Sequence, residues 1–352
     1  MKKTVSIALV ICLLFTLLSG CGSAPIAAEG KTVEYTDDAG RVVNIPEGIS
    51  AFVPTGPIAQ IILFALAPDM FMGSASKWDG AEGVIAQKYL DLPYFGQLYS
   101  SADLNVEALA AAGPQIVIDV GEYKPSVAED LDSLQTQTGI PCVFIESTLE
   151  TLPETYRKLG ALLGLEDRAE TLAQFCERVY DRTQNIMAQV GENKTSAIYI
   201  PAYEGLSVLA AGSYHAEMID LLTNNAAVMD EPLSKGTGNP IGMEQIALWD
   251  PEFIVFGTEE SYATLETDPA WQELTAIKSG NYVLVPQTPD NWMGSPPSAQ
   301  RYLGLIWLTA VLYPEYCDSD VKAEIFEFYE LFFHCDLTEE QYAELTAEAF
   351  TK

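Results

Sequence analysis

Residues 152–190 contain no strand-like run and little glycine, and they carry Leu159, Leu162, Leu163, Leu172, Phe175 and Val179 at helical spacing. On either side the chain alternates short apolar runs with helical ones. A long helical span between two such regions divides the chain instead of extending one sheet. The expectation is two α/β lobes with mainly parallel sheets, joined by a single long helix. At 1.5 Å per residue that helix would run about 50–60 Å, with a possible kink or division at residues 164–167. With 48% hydrophobic residues in 352, the chain has enough apolar mass for two cores.

In the first region, residues 32–35 and 41–45 read as a hairpin around Asp37-Asp38-Ala39-Gly40, and residues 57–66 and 107–112 as helices. The continuous apolar runs at 115–120 and 142–145 read as buried parallel strands. In the second region, strands are expected at 197–200, 253–257 and 282–286, and helices at 212–222, 242–248, 269–275 and 298–312. Residues 321–351 read as helical and acidic. The expected divisions are a first lobe at 31–150, a connector at 151–192 and a second lobe with a helical tail at 193–352. An internal echo supports two lobes. Asn105-Val106-Glu107-Ala108-Leu109 before Pro114 matches Gly242-Met243-Glu244-Gln245-Ile246 before Pro251, and in each copy a Glu precedes the Pro by seven residues and a buried strand follows it. Generic α/β architecture accounts for the helix, turn and strand, but not for the shared Glu.

The chain opens with Lys2 and Lys3, an apolar run at 5–18, then Ser19-Gly20-Cys21. This is the layout of an export signal over residues 1–20, and the run is shorter than the ~20 apolar residues of a membrane span. Leu18-Ser19-Gly20-Cys21 is similar to the bacterial lipobox, which implies acylation of Cys21. Residues 21–30 would then be a tether, and the protein would work outside the cytoplasm, meeting the membrane only through its lipid.

The balance of 18 basic and 50 acidic residues, a net charge of −32, argues against nucleic acid or anionic lipid as partner. With Cys12 and Cys21 assigned to signal and anchor, four cysteines remain. Cys317 and Cys335 flank a helical stretch, and an extracytoplasmic location permits a disulfide between them, although spacing leaves the pairing open. Cys142 and Cys176 read as core. Only His215 and His334 are present, with no Cys-x-x-Cys or His-x-x-x-His, so a His-built site for bare zinc is not expected. His334 reads as a partly buried helix residue, and His215, at a helix start, as structural with a cleft contact as the alternative. A secreted hydrolase is disfavoured because the chain has no Gly-x-Ser-x-Gly elbow, and a surface adhesion lipoprotein would need no cleft.

Signal, first lobe, helical connector, second lobe and the paired Glu elements, in this order, resemble the substrate-binding proteins of ABC importers, in the class with a rigid interdomain helix that captures ferric siderophores, haem or cobalamin. The resemblance covers about residues 48–337. Its most specific stretch runs from Pro296-Pro297-Ser298 through Arg301 and Trp307 to Leu312-Tyr313-Pro314-Glu315. It implies a non-enzymatic, monomeric receptor without a cofactor that carries an iron complex to a permease dimer, with a corrinoid as the alternative ligand. Glu107 and Glu244 match the carboxylates that dock on the permease. The ligand would sit between the lobes, at the ends of the buried strands. On the first lobe this points to Thr55, Gly56, Lys77, Trp78, Tyr99 and the loop from Gly121 to Tyr123. On the second it points to Tyr203, Asn239, Asp290, Asn291, Trp292 and Arg301. The chain has six arginines, four of them in or near the connector, which suits a neutral or hydroxamate-type complex, a corrinoid or haem better than a highly anionic ligand. With no histidine expected at the first-lobe wall, ligation of haem would fall to a tyrosine.

Overall fold

The computed structural model describes residues 31–99, 104–201 and 206–350. Residues 1–30, on which the expected signal, tether and Cys21 fall, lie outside the described residues, as does Tyr203. A hairpin of β1 (Thr32–Thr36) and β2 (Val42–Pro46) precedes the first parallel sheet, whose order is β3 (Phe52–Pro54), β4 (Ile116–Gly121), β5 (Cys142–Glu146). Phe52 stands beside Ile116, and Val117 beside Cys142. Every residue of β4 is buried, as expected of a strand covered by helices on both faces. Those helices include α1 (Pro57–Leu66), α2 (Val106–Ala112) and α3 (Val127–Thr138).

The connector is divided. α4 (Leu152–Leu163) ends at Gly164, and α5 (Glu166–Val190) folds back along it. The two can approach closely because Gly160 has no side chain: a Cβ there would lie 2.4 Å from Cβ of Ala169. Arg157 of α4 then reaches Glu170 at 2.8 Å and Glu177 at 2.7 Å on α5. The single long helix between the lobes is therefore α5, of 25 residues or about 37 Å, and not the whole span.

The second lobe is built on a parallel sheet of order β11 (Tyr282–Leu284), β10 (Phe253–Phe256), β6 (Ser196–Ile200), β8 (Asn224–Asn225). A small antiparallel pair, β7 (Ser207–Val208) and β9 (Asn239–Pro240), forms a separate sheet that packs beside β6. Its helices include α6 (Glu217–Leu222), α7 (Met243–Trp249), α8 (Glu259–Thr267) and α9 (Arg301–Leu312).

The C-terminal tail does not belong to the second lobe alone. After α10 (Val321–Phe328) a π-helical turn, Tyr329–Phe333, ends at His334 with φ 53°. His334 Nε2 lies 3.0 Å from the Phe64 carbonyl, and the Gln341 amide donates to the Gly83 carbonyl at 3.1 Å, both in the first lobe. Beyond α11 (Glu339–Leu345) the chain returns to the second lobe, where Leu284 N–H donates to the Glu348 carbonyl at 3.1 Å. Cys335 is anchored against Gly83 while Cys317 lies in a groove beside Arg182. Both cysteines are free, so the pairing that the spacing left open is not made.

Candidate functional site

Between the lobes lies a cleft of about 1220 Å³. The first lobe contributes Gly56 to Ala59, at the start of α1, together with Gln97, Tyr99, Phe144 and the segment from Asp119 to Glu122 and Lys124. These follow directly from the topology: β3 and β4 are parallel, so the loops at their C-terminal ends open on one side. The second lobe contributes Tyr214, His215, residues 235–238 and the turn Ser295-Pro296-Pro297.

Asp119, the one acid in the run Gln115-Ile116-Val117-Ile118-Asp119-Val120, sits at the floor of the first wall. The Thr55 hydroxyl donates to its Oδ1, and the Tyr99 hydroxyl donates to Oδ2 at 3.1 Å. Burial raises its pKa, a push that those two hydrogen bonds oppose. Burial also raises Glu122. The Lys124 ammonium stands 4.9 Å from the centroid of the Tyr99 ring. On the opposite wall, burial lowers the His215 pKa to about 4, and the charges of Arg301 and Lys124 lower it further. This imidazole is therefore neutral at neutral pH, with Ser234 Oγ 3.5 Å from its Nδ1. The Tyr214 ring meets it edge-on at 5.7 Å.

Of the residues expected at the cleft, Gly56 and Tyr99 line it. Thr55 is buried behind the wall, where it holds Asp119. Tyr123 is exposed near the rim, its ring 6.3 Å from that of Phe144. Lys77 and Trp78 lie elsewhere: the Lys77 ammonium is 5.9 Å from the Tyr94 ring, and Trp78 packs on Phe64 at 5.0 Å. Asn239 is buried beside the cleft, accepting from Leu233 N–H at 2.7 Å and so shaping the loop that carries Lys235. Asp290, Asn291 and Trp292 do not line the cleft, since their segment is packed into the second lobe. Arg301 lies behind Tyr214, 3% exposed and paired with Glu217 at 2.6 Å.

The sequence reading placed the 121–123 loop, and so Glu122, at the cleft, but it missed Asp119, Lys124, Tyr214 and Lys235, and it favoured a structural role for His215, which lines the cleft. Asp119 carried a signal, a lone carboxylate within an apolar parallel strand. Lys124 and Lys235 occupy loops, where no periodicity marks them, and Tyr214 and His215 a single 3-10 turn, Tyr214–Ala216, too short for periodicity to show which side faces the cleft. Among the described residues, no group of three or more His, Cys, Asp or Glu is gathered to hold a metal ion.

The periplasmic binding protein family matches residues 93–289, more than half of the chain. No curated protein matches the sequence. Among solved structures, an ABC transporter solute binding protein from Sulfurospirillum deleyianum is 25% identical, with a TM-score of 0.81 over 89% of this chain and 99% of that one. The molybdate-bound protein MolA of Haemophilus influenzae is 19% identical, with a TM-score of 0.71 over 87% and 99%. The catecholate-siderophore binding protein VctP of Vibrio cholerae is 17% identical, with a TM-score of 0.59 over 78% and 99%. On the strength of that family match, and with two parallel-sheet lobes joined by a long helix, this chain belongs to the periplasmic binding protein family.

Proposed function

We propose that the chain is the extracytoplasmic receptor of an ABC importer, that it captures an iron complex of hydroxamate type or haem between its lobes, and that acylation of Cys21 tethers it near the permease. The observation that carries the choice of ligand is the cleft. Pockets of ~300–1000 Å³ enclose a drug-sized molecule. A cleft of about 1220 Å³ suits an organic complex and leaves a bare ion or small oxyanion with few contacts. Asp119 and Glu122 offset Lys124 and Lys235 on its walls, which favours a ligand of little net charge. Phenolic rings at Tyr99 and Tyr214 offer rigid, partly apolar walls. His215, uncharged at neutral pH, can ligate a metal whose chelate leaves a position open. The same imidazole and the size of the cleft favour a corrinoid as the second reading.

Equilibrium dialysis against haem, a ferric tris-hydroxamate, cobalamin and molybdate tests the assignment. Retention of haem or the ferric chelate is expected. Retention of cobalamin alone selects the second reading, and retention of molybdate alone overturns both.

Glu107 and Glu244 are suited to docking on the permease, since each is exposed in the first turn of a short helix, one per lobe. The Asn105 side chain caps the first of these helices, accepting from Ala108 N–H at 3.0 Å. Exposed ion pairs contribute ~0–1 kcal/mol each, so losing both should lower uptake by about tenfold. The expected result for Glu107→Ala/Glu244→Ala in cells is reduced uptake with ligand affinity unchanged in the purified protein. Reduced affinity would instead place these residues in the binding machinery.

A further inference from the structure

Three side chains of the second lobe hold one short backbone segment of the first. The Tyr214 hydroxyl donates to the Ser147 carbonyl at 2.9 Å, Leu149 N–H donates to Glu217 Oε2 at 3.0 Å, and the Tyr302 hydroxyl donates to the Leu149 carbonyl at 2.7 Å. Ser147 N–H donates in turn to the carbonyl of Gly121, which lines the cleft, at 2.9 Å. Residues 147–149 thus tie the second lobe to the first-lobe wall.

Arg301 stands behind this junction. Its Nη1 is 2.6 Å from the Glu217 oxygen that accepts from Leu149, and its guanidinium lies 5.4 Å from the centroid of the Tyr214 ring. The stem fits because residue 294 is glycine: a Cβ there would lie 2.7 Å from Cγ and Cδ of Arg301. A buried ion pair is seldom the most stable filling for such a space, because desolvation offsets most of the attraction. What the pair provides is geometry, since a planar guanidinium fixes a carboxylate and a ring face together.

We propose that Arg301 is a positioning residue for ligand capture: with Glu217 it holds Tyr214 and His215 against residues 147–149, and so sets the second-lobe wall relative to Tyr99 and Asp119. This rests on the cleft being the ligand site. Affinity then depends on a side chain the ligand does not touch.

Removing Arg301 alone strands a partly buried carboxylate and lowers stability whatever its role. The informative variant is therefore Arg301→Gln/Glu217→Gln, which removes both charges together. Its urea unfolding midpoint should stay near that of the unaltered protein, while exchange of the Leu149 amide quickens and affinity for haem or the ferric tris-hydroxamate, whichever the unaltered protein binds, falls on the order of tenfold. Arg301→Lys, which keeps the charge but loses the planar fork, should regain only part of that affinity. Unchanged affinity in the double variant, with binding weakened by Tyr99→Phe or His215→Ala, overturns the positioning role and leaves the cleft as the ligand site. Unchanged affinity in all of these variants overturns both.

Discussion

Trp292→Ala is expected to destabilise the protein by about 3–5 kcal/mol while leaving the affinity of the folded fraction within about twofold. The Trp292 ring is 0% exposed and stands 6.2 Å from that of Trp307 at an interplanar angle of 76°. Its backbone N–H donates to the Pro286 carbonyl at 3.1 Å, and its own carbonyl lies against α9, 2.4 Å from where a Cβ on Gly304 would sit. Truncation therefore leaves a cavity that neither the loop nor α9 can close without breaking a second contact. Urea unfolding with an unchanged slope, read beside equilibrium dialysis, measures the two effects separately. Full stability with lost affinity would return Trp292 to the cleft.

That residue also marks where sequence and structure part. The segment Pro289-Asp290-Asn291-Trp292-Met293-Gly294 has the composition of an exposed turn. It is instead packed inward because Asn291 satisfies the backbone there: its Nδ2 donates to the Gly257 carbonyl at 2.9 Å, and its Oδ1 accepts from Met293 N–H at 2.9 Å. A polar turn can be buried when one side chain completes its hydrogen bonding, and composition does not report that. The parallel strands β4, β5, β6, β10 and β11, by contrast, were legible because burial writes a continuous apolar run, whereas β3, cut short at Pro54, and β8, a pair of asparagines, write none. Glu107 and Glu244 could be matched because each sits at the same place in a helix, turn and strand unit. The division of the connector at Gly164 was only half legible. Glycine marked a break, but the fold-back depends on Gly160 and Ala169 meeting, a pair nine residues apart that helical periodicity does not distinguish from one continuous helix.

Asp290→Asn is expected to stabilise the protein by an amount that grows with pH. In the fold, burial raises the Asp290 pKa from 3.8 to about 8, and its Oδ2 is buried with no hydrogen-bond partner. Below pH 3.8 the carboxyl is protonated in both folded and unfolded chains and costs nothing extra. As pH rises past that value, the unfolded chain releases the proton and regains hydration while the folded chain retains it. Stability is therefore lost at up to about 1.4 kcal/mol per pH unit until the folded group also ionises near pH 8, after which the loss is constant. Asparagine keeps the shape and cannot ionise. Asp119, also raised by burial, gives a slope of the same sign in both proteins, so the difference between them isolates Asp290. Urea midpoints for the two proteins should converge near pH 4 and separate steadily towards pH 8. A separation independent of pH would mean that Asp290 is ionised in the fold, held by a positive or hydrogen-bonding partner. The 289–294 segment would then be organised around that partner and not around Asn291.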